Sequence, residues 1–424
     1  RAGSHRDSRL DDLMKRSLNN VPALLSIAVL VNVFLIWQGF NSPNSPMGDL
    51  PYAYQPWFDA FIAGGHWWGL DRAWVYPFPA FLPMVVAGLF APQNLQIGWV
   101  VLRAIAMIAI LVSLVTLRVE TDEKRDVRYR AAYLWLAFTS ALGSVAISRI
   151  DSVSVLLAVV GALALVTGSQ TRAAVWFTIA GWIKIWPIAL FLALVAASKT
   201  WKRNLLAAAA TSAGILLIGF LFGGNAAMFS FITGQTGRGI QFEAPLATPW
   251  VWLGVVGASD AGIYYNHSMM TFEVFGPLVA DVAFWATLVQ FGALAITAAL
   301  MFLAYRAKAN FGEIVAWGSL TATLDLIVFN KVGSPQFISW LVVPILLGVL
   351  YRVPNWRLPS VLILAITLLT QLVYPYLYGS LLELEAVPAS VLLLRNIGLI
   401  LALILANVML TRLGARRKEV VEKI

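Results

Sequence analysis

The sequence predicts an all-α polytopic membrane protein, and three observations predict it. Of the 424 residues, 60% are hydrophobic and 12% charged, with mean hydropathy +0.78. That leaves too little polar side chain to cover a soluble fold of this length. Apolar runs of about twenty residues, the length that crosses a bilayer as helix, recur along the whole chain. Finally, all but seven of the 30 lysines and arginines fall in alternate connecting segments, as the positive-inside bias demands. The seven are Arg72, Arg103, Arg149, Lys184, Arg238, Lys331 and Arg395.

Taken in order, the chain opens with a polar, basic segment, 1–20, whose first five residues (RAGSH) read as a cloning leftover. A single membrane domain follows over 21–411, because no polar linker interrupts the apolar pattern. Val21–Phe40 is the first span, read as a retained anchor. Residues 41–96 form a first outer loop. Its last part, Tyr76–Gln96, is apolar but carries Pro77, Pro79 and Pro83. If it crossed, the next span (Ile97–Leu117) would deliver the basic segment starting at Arg118 to the outer side, so it is assigned to a juxtamembrane or re-entrant element. Ala131–Ile147 returns outward, Ser148–Asp151 is a tight outer turn, and Ser152–Gly168 comes back. Ala173–Ala197 is expected to be a hairpin with Lys184 at its outer tip, since one straight span would put Lys199, Lys202 and Arg203 outside. Asn204–Gly223 goes out to a long outer loop, 224–276. Five further spans (Pro277–Tyr305, Ile314–Phe329, Phe337–Tyr351, Pro359–Tyr374 and Ala389–Thr411) bring the count to about twelve passes, with both termini cytoplasmic and a basic tail at 412–424.

Composition also excludes chemistry. Cysteine is absent, which removes thiolate catalysis, disulfides and Cys-ligated metal. The three histidines, His5, His66 and His267, are too scattered for a histidine-rich metal site. No phosphate-binding glycine loop is present. The net charge of +9 is accounted for by membrane topology, so nucleic acid is not an expected partner. No metal or other cofactor is required, and no tight acidic cluster demands a divalent ion.

The chemistry-bearing residues gather on the outer side. A cation between apolar stretches is costly unless paired or hydrated, which singles out Lys184 (GWIKIWP) and Lys331 (VFNKVGSP). Arg149 and Arg238 sit in outer turns. Together the four could neutralise a phosphate, or act as snorkelling or salt-bridged structural cations, Arg149 with Asp151 two positions on. Asp49 follows the first span after the flexible NSPNSPMG and leads into LPYAYQPW. A carboxylate against apolar surface can serve as a general base, and the same residue in the same place can instead cap a helix. The other outer acids, Glu243 and Glu273 among them, read as solvated surface. The dense aromatics of the first loop suit an interfacial belt or a surface for stacking sugar or isoprene.

Four landmarks carry a resemblance: Asp49-Leu50 followed by Tyr52 and Tyr54; Tyr76-Pro77-Phe78-Pro79; Lys184-Ile185-Trp186-Pro187; and Ser334-Pro335-Gln336 with Trp340. The pattern resembles the membrane-embedded GT-C glycosyltransferases, and within them glycosyltransferase family 87, the polyprenyl-phosphate-mannose-dependent mannosyltransferases of actinobacterial envelopes. The chain departs from that pattern where Phe78 separates the two prolines and where KVGSPQFISW lacks histidine. The resemblance implies a GT-C-type helical bundle with juxtamembrane helices in the first outer loop, in the cytoplasmic (inner) membrane, with its active site on the extracytoplasmic face. It implies an inverting transferase moving mannose from a polyprenyl-phosphate donor to a glycolipid or polysaccharide acceptor. Asp49 would be the base, and Lys184, Lys331, Arg149 and Arg238 would hold the donor phosphate. Tyr52, Tyr54, His66, Tyr76, Asp151 and Gln336 are the substrate-binding candidates. A lipid-linked arabinofuranose donor is the alternative within this class. A flippase of lipid-linked substrate is the alternative outside it, although no paired half-sequence repeat supports one.

Overall fold

A computed structural model describes residues 19–117, 121–234 and 237–421. Most of the 1–20 segment, Arg118 and the last residues of the basic tail lie outside the described residues. Among the described residues seven helices are long and apolar enough to cross a membrane, and four shorter apolar helices accompany them.

Helix α1 (Val21–Asn41) starts where the sequence places it, because the Asn20 side chain accepts from Ala23 N–H at 2.9 Å and Pro22 occupies the first turn. After a π-type turn at Leu50–Tyr54 come α2 (Gln55–Gly64), ended by Gly65 in the left-handed conformation, and α3 (Phe81–Phe90). The prolines of 77–83 shape a 3-10 turn leading into α3, a helix too short to span.

The next helices are α4 (Leu95–Thr116) and α5 (Asp122–Leu142). Helix α5 begins well before the expected Ala131. Thr121 Oγ1 caps Lys124 N–H, and Asp122 and Glu123 sit at the positive end of the helix dipole, so the charged stretch is helical too. It stops at Gly143, whose φ of 73° favours glycine; a Cβ there would also meet Gln371 and Gln38. The reversal into α6 (Ile150–Val166) is therefore longer than the expected Ser148–Asp151 turn, with a helical turn at Val145–Ser148 before the extended Arg149.

Two hairpins follow one plan. Helices α7 (Gln170–Ile183) and α8 (Ile188–Ala197) fold back at Lys184–Pro187. Their far ends meet: Ser198 Oγ and Thr200 Oγ1 both donate to Gln170 Oε1, at 2.5 and 2.8 Å. Helix α9 (Trp201–Leu221) follows, its surface mostly uncovered by protein and apolar, as a lipid-facing helix should be. A loop region containing α10 (Thr248–Val255) leads to α11 (Val279–Arg306). The second hairpin joins α12 (Phe311–Val328) to a 3-10 segment (Pro335–Leu341) continuing into α13 (Val342–Leu350); its far ends also meet, at Gly312 and Tyr351. Helix α12 is buried on all sides, the position a helix apolar all round takes at a bundle centre. Helices α14 (Arg357–Gln371) and α15 (Ala386–Val421) complete the bundle.

One element departs from an all-helical chain. Within the long loop, β1 (Gly262–Asn266) and β2 (Thr271–Phe275) form an antiparallel hairpin, with Gly262 opposite Phe275. Residues 240–242 run alongside β2, through Val274 N–H to Ile240 O (2.9 Å) and Phe242 N–H to Phe272 O (3.3 Å).

Segments expected on the cytoplasmic side meet at one end of the bundle. Asn19 Nδ2 donates to Asp126 Oδ1 at 2.7 Å, and Arg352 pairs with Glu123. Arg103 and Arg395 are buried and tied inward, Arg103 to Asn32 Oδ1 (2.8 Å) and Arg395 to Glu243 O (2.7 Å).

Candidate functional site

The end of the bundle opposite to the Asn19–Asp126 and Arg352–Glu123 contacts carries a cluster of buried charges, built from the reversals described above. Residues 42–49 are held there by three contacts. Tyr374 Oη donates to Asn44 O (3.0 Å), Asn44 Nδ2 to Pro375 O (2.7 Å), and Ser148 Oγ to Pro46 O (3.0 Å). Asn44 and Ser45 both have positive φ, so the chain turns sharply after α1 and presents Asp49 towards the α5–α6 reversal.

Asp49 precedes the Leu50–Tyr54 turn but makes no capping bond with its side chain. Its Oδ1 instead forms an ion pair with Arg149. Arg149 is 11% exposed and Asp49 38%, so a buried cation orients an acid that solvent or a substrate reaches. The turn holding Arg149 is fixed by Ile150 N–H donating to Tyr54 Oη (2.9 Å) and by Trp99 Nε1 donating to Ile147 O (2.9 Å). Tyr54 is thus a buried strut, and burial pushes its phenol well above the ordinary tyrosine value.

A second pair lies one helical step away. Asp151, in the first turn of α6, is 1% exposed. Its Oδ1 accepts from Trp340 Nε1 at 2.7 Å, and its Oδ2 lies 3.5 Å from Lys184 Nζ. The expected alternative of Arg149 pairing with Asp151 is replaced by this exchange of partners: each cation takes an acid from another element. Lys184 sits at the hairpin tip because Pro187 and the extended backbone at 184 stop α7. Its ammonium lies 4.7 Å from the Tyr76 ring centroid and 5.6 Å from that of Phe337. Trp186 stacks on Trp340 with centroids 5.7 Å apart and planes 6° from parallel, which locks the two hairpin tips together.

A third group stands on the long loop. Glu273 is 1% exposed and accepts from Tyr264 Oη and Asn266 Nδ2, both at 2.9 Å. Burial lowers both Arg238 and Lys331, the Arg238 charge lowers Lys331 further, and the Glu273 charge opposes the shift in both. Lys331 O accepts from Gln241 N–H at 2.8 Å, and Gln241 Oε1 accepts from Gly333 N–H (3.2 Å) and Ser334 Oγ (3.1 Å), so loops 237–245 and 329–334 are stitched side by side.

Of the sequence-predicted residues, the structure brings together Asp49, Arg149, Asp151, Lys184, Tyr54 and Tyr76, with Arg238 and Lys331 in the neighbouring group. Tyr52 is 78% exposed on its turn, and His66 forms an exposed pair with Asp71 at 3.0 Å; neither joins an ion pair of the cluster. The Gln336 side chain is half-buried, and its carbonyl accepts from Ser339 Oγ.

Two acids expected on solvated surface are buried, and this is a correction. Glu243 is 2% exposed; Gln241 Nε2 reaches its Oε2 (3.1 Å), while its Oε1 has no hydrogen-bond partner. Burial raises it to about 7, against the opposing fields of Arg395 and Arg149. Glu273 is the other. Sequence reading also missed the roles of Trp340, Tyr374 and Arg395. The signal it had was the charge-dense GRGIQFEAP in a chain this apolar.

Chemically, the cluster offers one accessible carboxylate on a rigid support beside several cations, a set suited to taking a proton and neutralising an anion. Among the described residues no three His, Asp or Glu gather as a metal site. In comparison with known proteins, a family model described as Glycosyltransferase family 87 matches residues 74–329, more than half of the chain. The match includes Tyr76, Arg149, Asp151, Lys184 and Arg238 and stops short of Asp49 and Lys331. No curated protein matches the chain.

Proposed function

The chain belongs to glycosyltransferase family 87, and from that premise we propose that it moves mannose from a polyprenyl phosphate to a hydroxyl of an extracytoplasmic glycolipid or polysaccharide, inverting the anomeric carbon. In this reading the bundle crosses the inner membrane about twelve times, both termini are cytoplasmic, and the charge cluster faces outward. The excess of Lys and Arg in the segments at the other end supports that sidedness.

Asp49 is the base. As the acceptor oxygen bonds to the anomeric carbon, its proton passes to Asp49, and the bond from that carbon to the phosphate oxygen breaks with its electron pair. The Arg149 guanidinium holds the Asp49 carboxylate in place for that transfer. A positioned base contributes about 10²–10⁴ in rate, and fixed cations stabilise the charge that collects on the departing phosphate. The observation that carries this reading is the Asp49–Arg149 pair: a reachable acid at a chain reversal, aimed by a largely buried cation and not engaged in capping the Leu50–Tyr54 turn that it precedes.

The test uses the purified full chain in detergent, a single compartment in which a flippase has nothing to do. Polyprenyl-phosphate mannose and polyprenyl-phosphate arabinofuranose are supplied separately with an envelope glycolipid extract. The expected result is mannosyl product of inverted configuration by NMR. Product from arabinofuranose alone overturns the choice of sugar, and absence of any transfer overturns the reading.

A further inference from the structure

Three groups surround the Lys184 ammonium: the Asp151 carboxylate at 3.5 Å, the Tyr76 ring at 4.7 Å and the Phe337 ring at 5.6 Å. The carboxylate contact is an ion pair and not a hydrogen bond, because Asp151 Oδ2 has no hydrogen-bond partner. The lysine side chain keeps 18% of its surface exposed. These contacts hold a cation by charge and ring faces, and they leave its N–H donors for a substrate oxygen.

Two of the three groups are held by one residue, Trp340. Its Nε1 donates to Asp151 Oδ1 at 2.7 Å, so the firm bond to this carboxylate is the indole's and the loose one is the lysine's. Its ring stacks on Phe337, with centroids 4.1 Å apart and planes 24° from parallel. It also stacks on Trp186, which lies on the same hairpin tip as Lys184. Trp186 Nε1 in turn donates to Ser154 Oγ at 2.8 Å, and Ser154 Oγ donates to Asp151 O at 2.9 Å. The lysine's own loop is thereby tied to the turn that carries its counter-charge.

Trp340 is 4% exposed within the Pro335–Leu341 segment, so it supports the cluster from behind and does not meet a substrate itself. Trp356 shows the contrasting case of a core indole. It too is buried, but its Nε1 donates to the backbone oxygen of Ile345 at 2.9 Å and its ring packs on Trp317. A lysine is a point charge on a flexible stem, and a cation helps a reaction most when it is already in place as charge develops. The orientation of the Asp151 carboxylate decides where the ammonium rests, and Trp340 sets that orientation.

We propose that Trp340 is a positioning residue for Lys184, acting through its Nε1–H bond to Asp151 Oδ1 and through the Phe337 ring. The proposal rests on the transferase reading above, in which fixed cations stabilise the developing charge, and it names what fixes this one.

The experiment uses the full chain in detergent with radiolabelled polyprenyl-phosphate mannose and the envelope glycolipid extract, and measures kcat and the KM of the donor. Trp340→Phe keeps a ring for both stacks and removes the Nε1–H. It should lower kcat by about tenfold while KM moves by less than about twofold, the signature of an interaction used in the transition state. Trp356→Phe should melt at about the same temperature as Trp340→Phe and keep kcat within about twofold of wild type. On a Lys184→Met background, Trp340→Phe should cost no more than about twofold further.

The same tenfold loss on both backgrounds makes Trp340 independent of Lys184 and overturns the proposal. An unchanged kcat in Trp340→Phe, or equal kcat losses in the two tryptophan variants, overturns it as well. In each of these cases wild-type transfer leaves the transferase reading standing, whereas absence of wild-type transfer overturns that reading and the proposal with it. Where Trp340→Phe does not fold, Phe337→Leu takes its place: kcat should fall by about threefold on the wild-type background and not on Lys184→Met, and equal losses on both overturn the proposal.

Discussion

The two ends of the bundle hold similar charges in opposite settings. At the far end, Arg352 with Glu123 and Arg125 with Asp122 are ion pairs open to solvent. At the Asp49 end, Asp151, Glu243 and Glu273 are each no more than 2% exposed, and the Arg149 side chain is 11% exposed. Exposed pairs contribute little to stability, and buried ones are expensive to assemble. Elsewhere among the described residues buried ionisable groups stand singly in helices, Asp325 with Thr297, Arg103 with Asn32 and Arg128 with the Leu114 carbonyl, so the gathering of three buried acids with cations at the Asp49 end carries a stability cost that a site explains. The difference between the ends is therefore the physical sign of function, more than the presence of charge at either.

Breaking a buried pair sharpens the contrast most. Asp151→Asn keeps an acceptor for Trp340 but leaves Lys184, 18% exposed, without its counter-charge. It should lower unfolding free energy by about 3 kcal/mol, measured by chemical denaturation in detergent, and the double variant Asp151→Asn/Lys184→Met should recover part of the loss.

Next in size is a pH effect from Glu243. Burial raises it from 4.5 to about 7. Between those values the folded state binds the proton that the unfolded state has lost, so stability should fall as pH rises from about 4.5 to about 7 and level off above. Glu243→Gln should flatten that slope in a melting-temperature series; an unchanged slope would mean that Glu243 is not the group responsible.

Smaller again, Arg149→Lys keeps the charge but not the planar fork, and should reduce transfer by about tenfold with little change in the Km of the donor. Smallest, Arg352→Ala at the far end should alter stability by no more than about 1 kcal/mol and leave transfer untouched. A large effect there would erase the distinction between the two ends.

Much of the scaffold was readable because its signals are local. Asn20-Val21-Pro22 marks the start of the first helix. The Lys184 tip was readable from a charge and a proline inside an apolar run, combined with the sidedness of Lys199 to Arg203. The candidate base was readable as an outlier in placement, and its partner was not: choosing Arg149 over a capping role needed the fold to bring residues a hundred apart together. Glu243 illustrates the limit. Its burial depends on Arg395, 152 positions away, and on the loop stitched to Lys331, and no local pattern distinguishes it from a solvated loop acid. The β-hairpin was missed for a related reason: its short strands carry exposed aromatics that resemble any interfacial loop.

The central claim is that the Asp49 carboxylate takes the acceptor's proton, and replacing one oxygen by nitrogen tests it most directly. Asp49→Asn should express, insert and melt within a few degrees of wild type, bind undecaprenyl phosphate, and transfer no mannose over a pH range spanning neutrality. Turnover at the wild-type rate by a folded Asp49→Asn protein would contradict the account.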